Sequence, residues 1–244
     1  MDYILDAARI KSLPGDAFYI SHFITEEEEA SLLQKVVSTP LPRWTQLSHR
    51  RLQTWPSALT KTNTLIKSPL PSWLVSPIIN PRFQALRIFD DAPHSVPNHV
   101  LVNEYHPGQG IMPHEDGSAY YPLVATVSLG ASIVLDLYEN SQASKNDEKV
   151  RQTPKARPDF RILQERRSLL VTRGSIYTNF LHGIAETCQD EDLGPATICN
   201  WDLLCETDRY IGGYYQRETR ISLTYRDVLR VANIGNAIQF LGLK

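Results

Sequence analysis

A histidine and an aspartate stand two residues apart, His114 and Asp116, inside the stretch GQGIMPHEDGSAYY. On an extended strand, residues i and i+2 project from one face, so both side chains can converge on one ion while Glu115 points away. A polar surface turn produces the same spacing with no chemistry attached. A metal site needs a further donor from elsewhere in the chain. Of the seven histidines, His182 is the best candidate: it lies in the apolar, strand-like stretch NFLHGI, where an uncharged ligand role suits it. A core histidine with one hydrogen bond is the competing reading for that position. His106, before Pro107, belongs to a turn and is too close in sequence to return to the same face. Two imidazoles and a carboxylate with open positions make the donor set that non-haem iron(II) oxygenases prefer.

Two further stretches add to this pattern. In NEY, Asn103 and Tyr105 share a strand face, and both can hydrogen-bond a carboxylate. In RISLTYR, alternation places Arg220, Ser222, Thr224 and Arg226 on one face of a strand. Two arginines on one side of an apolar strand are costly to bury without anionic partners. Arginine's planar fork matches a carboxylate bidentately, and a dicarboxylate cosubstrate would give both a partner. An exposed edge strand with a polar outer face accounts for either arginine alone.

The elements that must position these groups are short strands. HVLVNEY, ATVSLG, SIVLDLY, SLLVTRG and TRISLTY are β-branched or alternating and bounded by Gly, Pro or polar clusters. The apolar stretch 122–138 reads as two strands joined by a tight SLGAS connection, because Ser128, Gly130, Ser132 and Asp136 interrupt it. One helix is clear: TEEEEASLLQKVVS carries a capping box of Thr25 and Glu28, with Leu32, Leu33, Val36 and Val37 as its apolar face. Many strands after a mostly helical first third predict a mainly β fold with flanking helices, a sandwich or jelly roll.

With 244 residues, 42% of them apolar, the chain can bury a sizeable core, and wholesale disorder is excluded. A formal charge of −2 announces no nucleic-acid partner globally. The charge is uneven, however. Residues 43–67 hold five Lys or Arg and no acid, with Trp44 and Trp55 interleaved; 141–167 hold eight basic and four acidic residues and read as a mobile loop; 186–208 hold seven acids and no Lys or Arg. Three cysteines (Cys188, Cys199, Cys205) without CxxC spacing favour a reducing compartment and unligated thiols. No signal peptide or membrane-length apolar run is visible, so a soluble intracellular protein of cytoplasm or nucleus, acting as a monomer, is expected.

Taken together, N-x-Y, HxD nine residues after the tyrosine, a later histidine and R-x-S-x-T-x-R resemble the AlkB family of Fe(II)/2-oxoglutarate dioxygenases. The motifs span about residues 98–228. RWTQLSHRRLQTW, NHVLVNEYHPGQGIMPHEDG and YYPLVATVSLG look like the branch called AlkB homologue six, which extends the likeness to most of the chain. The resemblance implies a single domain over 1–244: an N-terminal helical or lid extension (1–97), a double-stranded β-helix (jelly-roll) core (98–230) and a C-terminal tail (231–244). It implies His114, Asp116 and His182 as iron ligands. It implies Asn103, Tyr105 and Arg220 as 2-oxoglutarate contacts, with Arg220 on the distal carboxylate and Arg226 near the carboxylate beside the keto group. Ser222 stands where many relatives have asparagine, at the edge of cosubstrate or substrate, and the interval from His182 to Arg220 is longer than in compact relatives.

The implied chemistry uses Fe(II), 2-oxoglutarate and molecular oxygen to hydroxylate a methyl group on a nucleobase nitrogen, which then leaves as formaldehyde. Single-stranded or flipped nucleic acid is the expected partner, because extruding a base costs least when it is already unpaired. Trp44, Arg50, Arg51 and Trp55 suit such a strand, charge holding phosphates and rings stacking on bases. Tyr120 and Tyr121 could flank the base. The tryptophans could equally staple the N-terminal elements to the sheet, Arg50 and Arg51 form a solvated face, and Tyr121 belong to the core. Two other functions stay open: the same iron chemistry on a protein side chain or lipid, and a nucleic-acid-binding module with little or no turnover.

Overall fold

The computed structural model of the chain describes residues 3–140 and 157–233. Fifteen strands are found among them: β1 (Ala17–Ile20), β2 (Trp44–Gln46), β3 (Arg51–Trp55), β4 (Thr64–Ile66), β5 (His99–Tyr105), β6 (Ile111–His114), β7 (Leu123–Leu129), β8 (Ile133–Glu139), β9 (Phe160–Gln164), β10 (Leu169–Arg173), β11 (Phe180–Ile184), β12 (Gln189–Asp190), β13 (Tyr215–Gln216), β14 (Arg220–Arg226) and β15 (Arg230–Ala232). Seven form an antiparallel sheet in the order β1-β10-β7-β14-β5-β3-β2, and four form a second in the order β6-β11-β8-β9. This is the jelly roll expected from the strand pattern.

The larger sheet is buried on both faces, which explains the alternation of its strands. Val100, Val102, Val127, Leu129, Ile221, Leu223 and Tyr225 turn one way, into the main apolar core. Leu101, Asn103, Thr126, Ser222 and Thr224 turn the other way, into a cavity walled on its far side by the smaller sheet. All seven residues of β14 are buried. The exposed edge strand considered for RISLTYR is therefore excluded: its polar face meets a cavity and not solvent. The chain crosses from the larger sheet to the smaller at Gly130, whose φ of +82° suits glycine; a Cβ there would lie 2.7 Å from the Thr219 carbonyl oxygen.

Helix Glu26–Val37 covers the core face of the larger sheet. Its capping box is formed: Thr25 Oγ1 accepts from the Glu28 amide (3.2 Å) and Glu28 Oε2 accepts from the Thr25 amide (2.8 Å). Its buried face differs from the expected one. Val37 is 66% exposed, whereas Glu29 is buried, accepting from the Gly130 amide at 2.8 Å and from Arg166 Nη2 at 2.5 Å. Two anionic acceptor atoms matched by cationic and amide donors make that burial tolerable.

Three sequence expectations about organisation are corrected. The first 97 residues are not a mostly helical extension: they supply β1, β2 and β3 to the larger sheet, β1 at one edge and β2 at the other. The stretch 141–167 is not all loop, because β9 lies within it; residues 141–156 fall outside the described residues. The expected tail from 231 is not without structure, since Arg230–Ala232 pair in parallel with Thr64–Ile66 in a separate two-stranded sheet; residues 234–244 lie outside the described residues. The acidic segment 186–208 is anchored by its own charges. Asp190 receives both Nε and Nη2 of Arg217 (2.8 and 2.6 Å), and Glu206 receives Arg167 Nη2 at 3.2 Å.

Candidate active site

The cavity between the sheets has a volume of about 300 Å³. His114 reaches it from the end of β6, His182 from the paired position on β11, and Asp116 from the turn after β6. Their donor atoms all lie within 4.8 Å of one another, and they are the one group of three such residues so placed among the described residues. The two imidazole centroids are 4.3 Å apart, and His182 Nε2 lies 3.9 Å from Asp116 Oδ1. His114 Nδ1 is 2.9 Å from the Met112 carbonyl oxygen. An N–H donated there leaves Nε2 with its lone pair free, the second-sphere arrangement typical of metal-binding histidines. Burial depresses His182 to a pKa of about 4 against the pull of nearby Asp116, so the ring is neutral and available as a donor.

Opposite the triad, β5 and β14 place Asn103, Tyr105, Arg220, Ser222 and Arg226 on one wall. The larger sheet's twist and register, Arg220 opposite Tyr105 and Ser222 opposite Asn103, bring together residues more than a hundred positions apart. Arg226 pairs closely with Asp116 Oδ1. Arg220 is different: it is 2% exposed, its Nη2 donates to two neutral acceptors, Ser128 Oγ (2.8 Å) and Gln164 Oε1 (3.2 Å), and its Nε has no hydrogen-bond partner among the described residues. Burial lowers its pKa to about 10. A buried guanidinium with neutral partners and an orphaned N–H calls for an anion in the cavity. The donor set and this arginine together fit iron and a dicarboxylate.

Of the residues expected at the substrate, two line the cavity. Arg50 donates its Nε to Asn103 Oδ1 at 3.3 Å, and Tyr120 lies under the Arg226 guanidinium at 4.9 Å. The other four are placed elsewhere. Trp44 and Trp55 pack against the main core, Trp44 beneath Arg51 (4.1 Å) and Trp55 beneath Arg43 (4.4 Å) and edge-on to Trp73 (5.9 Å). Arg51 is bound to Glu104 by two hydrogen bonds of 2.5 and 2.9 Å. Tyr121 packs on the core. Aromatic rings beside arginines look alike in sequence whether they serve a ligand or each other. Gln164, Ser128 and Tyr177 were missed. Gln164 closes β9, inside the stretch read as loop, and the FRILQ pattern was its available signal. Tyr177 lines the cavity and donates to the Gly117 carbonyl at 3.1 Å. Cys188, Cys199 and Cys205 are free thiols.

The family model for the 2OG-Fe(II) oxygenase superfamily matches residues 16–226. The chain belongs to that superfamily. This oxygenase is therefore an oxidoreductase that uses Fe(II), 2-oxoglutarate and molecular oxygen. It is 39% identical over 235 residues to a zebrafish (Danio rerio) protein named "Probable RNA/DNA demethylase ALKBH6", covering 96% of this chain and 94% of that one, which makes it AlkB-like. Among solved structures, that of OsALKBH1 matches with a TM-score of 0.54 at 16% identity, covering 88% of this chain and 98% of that one. The epimerase SnoN, solved with Fe3+, alpha ketoglutarate and nogalamycin RO, matches with a TM-score of 0.52 at 11% identity over 93% and 85% of the two chains; both likenesses are of fold. Among the described residues no helix of the oxygenase is long and apolar enough to cross a membrane.

Proposed function

We propose that this oxygenase removes methyl groups from alkylated bases in single-stranded or flipped nucleic acid, acting as a monomer in cytoplasm or nucleus. His114, Asp116 and His182 hold the iron. Arg220 takes the distal carboxylate of 2-oxoglutarate, with Asn103 and Tyr105 beside it, Arg226 near the carboxylate next to the keto group, and Ser222 at the cosubstrate edge. The observation that carries the reading is Arg220, buried with neutral hydrogen-bond partners on the wall facing a two-histidine, one-aspartate cluster. Bound iron, with 2-oxoglutarate and oxygen, supplies the oxidant for C–H hydroxylation as 2-oxoglutarate becomes succinate and carbon dioxide. The chain's own groups position the reactants and exclude water. Leu135 and Leu137 give the wall formed by the smaller sheet an apolar face opposite the charged groups.

The nucleic-acid assignment is supported by the zebrafish relative's name and by the cavity's size. About 300 Å³ is at the low end for ligand sites, so beside the cosubstrate it accepts one inserted group of a larger molecule. Arg50, Tyr120 and Tyr177 stand where such a group would meet the wall. The test is succinate and formaldehyde release with Fe(II), 2-oxoglutarate and oxygen, with methylated single-stranded DNA and RNA oligonucleotides, their unmethylated twins, and His114→Ala as blank. Stimulation by one methylated oligonucleotide is expected. Succinate release that none of them stimulates would overturn the nucleic-acid assignment and point to protein or lipid. No release above the blank, with iron and cosubstrate shown to be bound, would point to a binding module.

A further inference from the structure

Asp136 is a buried carboxylate for which the oxygenase chemistry has no use. It lies on β8 opposite Gly183 of β11. Its neighbours Leu135 and Leu137 face the active-site cavity, so Asp136 and Tyr138 face the outer side of the smaller sheet. There they line a second cavity of about 280 Å³ together with Met112, Pro113, Gly183 and Glu186. Gly183 creates the slot. With no side chain at that position, bare backbone separates Met112 and Pro113 from Asp136 and Tyr138, and a Cβ would lie 3.0 Å from the Pro113 nitrogen.

The carboxylate is poorly matched by the protein around it. Asp136 is 8% exposed and its Oδ1 has no hydrogen-bond partner among the described residues. Arg161 Nε stands 3.6 Å away, beyond a good hydrogen bond, and that guanidinium gives its two terminal nitrogens to the Asp192 and Glu191 carbonyls at 3.2 and 2.9 Å. Burying a carboxylate oxygen without a hydrogen bond is unfavourable, and native structures rarely retain one without a use.

We propose that this outer cavity binds a guanidinium group, to which Asp136 presents its carboxylate from the buried floor. The wall suits a planar cation: the Tyr138 ring and the 76% exposed Met112 thioether offer a flat, polarisable face. Glu186 at the rim, 3.1 Å from His49 Nδ1, adds a second carboxylate. The volume admits an alkylguanidinium the size of an arginine side chain. A primary ammonium presents a strongly hydrated point charge without the fork, so the same slot binds it less well.

The chain contains two methionines, Met1 and Met112, so a 13C-methyl methionine label gives one reporter at the slot and one remote from it in sequence. The metal-free full chain is titrated with propylguanidinium, with a capped peptide carrying one arginine, and with propylammonium. Saturable movement of the Met112 methyl signal is expected with both guanidinium probes, with a Kd on the order of 1 mM for propylguanidinium. Tighter binding of the peptide than of propylguanidinium identifies a protein side chain as the natural occupant; the reverse identifies a free small molecule. Asp136→Asn is expected to weaken binding about ten-fold or more, and Glu186→Gln by a smaller factor. If Asp136→Asn does not fold, the ordering of guanidinium over ammonium and the Glu186→Gln effect decide in its place. A Met112 signal that stays still, equal binding of propylammonium, or undiminished binding by folded Asp136→Asn overturns the proposal. None of these readouts depends on catalysis, so they separate from any failure of the demethylase reading.

Discussion

Replacing Arg220 by methionine should leave the metal-free protein as stable as before, or more stable, while 2-oxoglutarate binding collapses. The magnitude follows from its surroundings. Burial lowers the guanidinium's pKa from 12.5 to about 10. At about 1.4 kcal/mol per unit, holding the charge in the folded state costs roughly 3 kcal/mol. The folded pKa is the lower one, so this cost is fully present below pH 10, where both states are protonated, and fades as pH rises towards 12.5. Methionine removes the charge and keeps most of the volume. Ser128 Oγ and Gln164 Oε1, 3.4 Å apart, can still bond each other. Apo stability should therefore change by between zero and a gain of about 3 kcal/mol. Removing one partner of a buried charged pair costs about 2–5 kcal/mol, which is about thirty-fold or more in 2-oxoglutarate affinity. Urea denaturation of the metal-free protein measures the first quantity, and calorimetric titration of 2-oxoglutarate onto the anaerobic Fe(II) protein the second. A variant that loses more than about 2 kcal/mol of apo stability yet binds 2-oxoglutarate normally would show that Arg220 is a structural strut, and would refute the reasoning.

Other consequences are open to simpler measurements. His99 is 1% exposed, its Nδ1 has no hydrogen-bond partner among the described residues, and burial lowers its pKa to about 4, with Arg226 adding to the depression. Because the folded pKa lies below the unfolded 6.5, its contribution to stability is complete above pH 6.5 and is lost as pH falls towards 4. At pH 5 the loss is about 2 kcal/mol, and urea midpoints of His99→Asn should show a correspondingly flatter acid limb. Trp55→Ala should lower stability by about 2–3 kcal/mol in thermal or urea denaturation while leaving oligonucleotide affinity unchanged, since the ring packs on the core and Trp73. Thr25→Ala should cost about 1 kcal/mol through loss of the capping box, read from the same denaturation curves.

The individual elements and the reactive positions are local properties, and the sequence alone determined them. A strand's period places Asn103 with Tyr105, and Arg220 with Arg226, whatever the strand packs against, whereas β6 ends at His114 and Asp116 reaches the cluster from the coil after it. The helix start at Thr25 likewise depends only on neighbouring residues, and both of its hydrogen bonds are present. The direction in which each face points was not local. RISLTYR has the same alternation on a solvated edge and in the middle of a sheet, and only the pairing of β14 between β5 and β7 turns its polar face into a cavity. The same limit explains Trp44, Trp55 and Arg51, whose composition suited a nucleic-acid lid. The tertiary structure gives Arg51 to Glu104 and both rings to the core. It also brings Gln164 to Arg220 and turns Asp136 to the opposite surface, where no group among the described residues bonds its Oδ1. A partner that comes from a distant segment is decided by sheet order and register, which the residues on either side of a position do not encode.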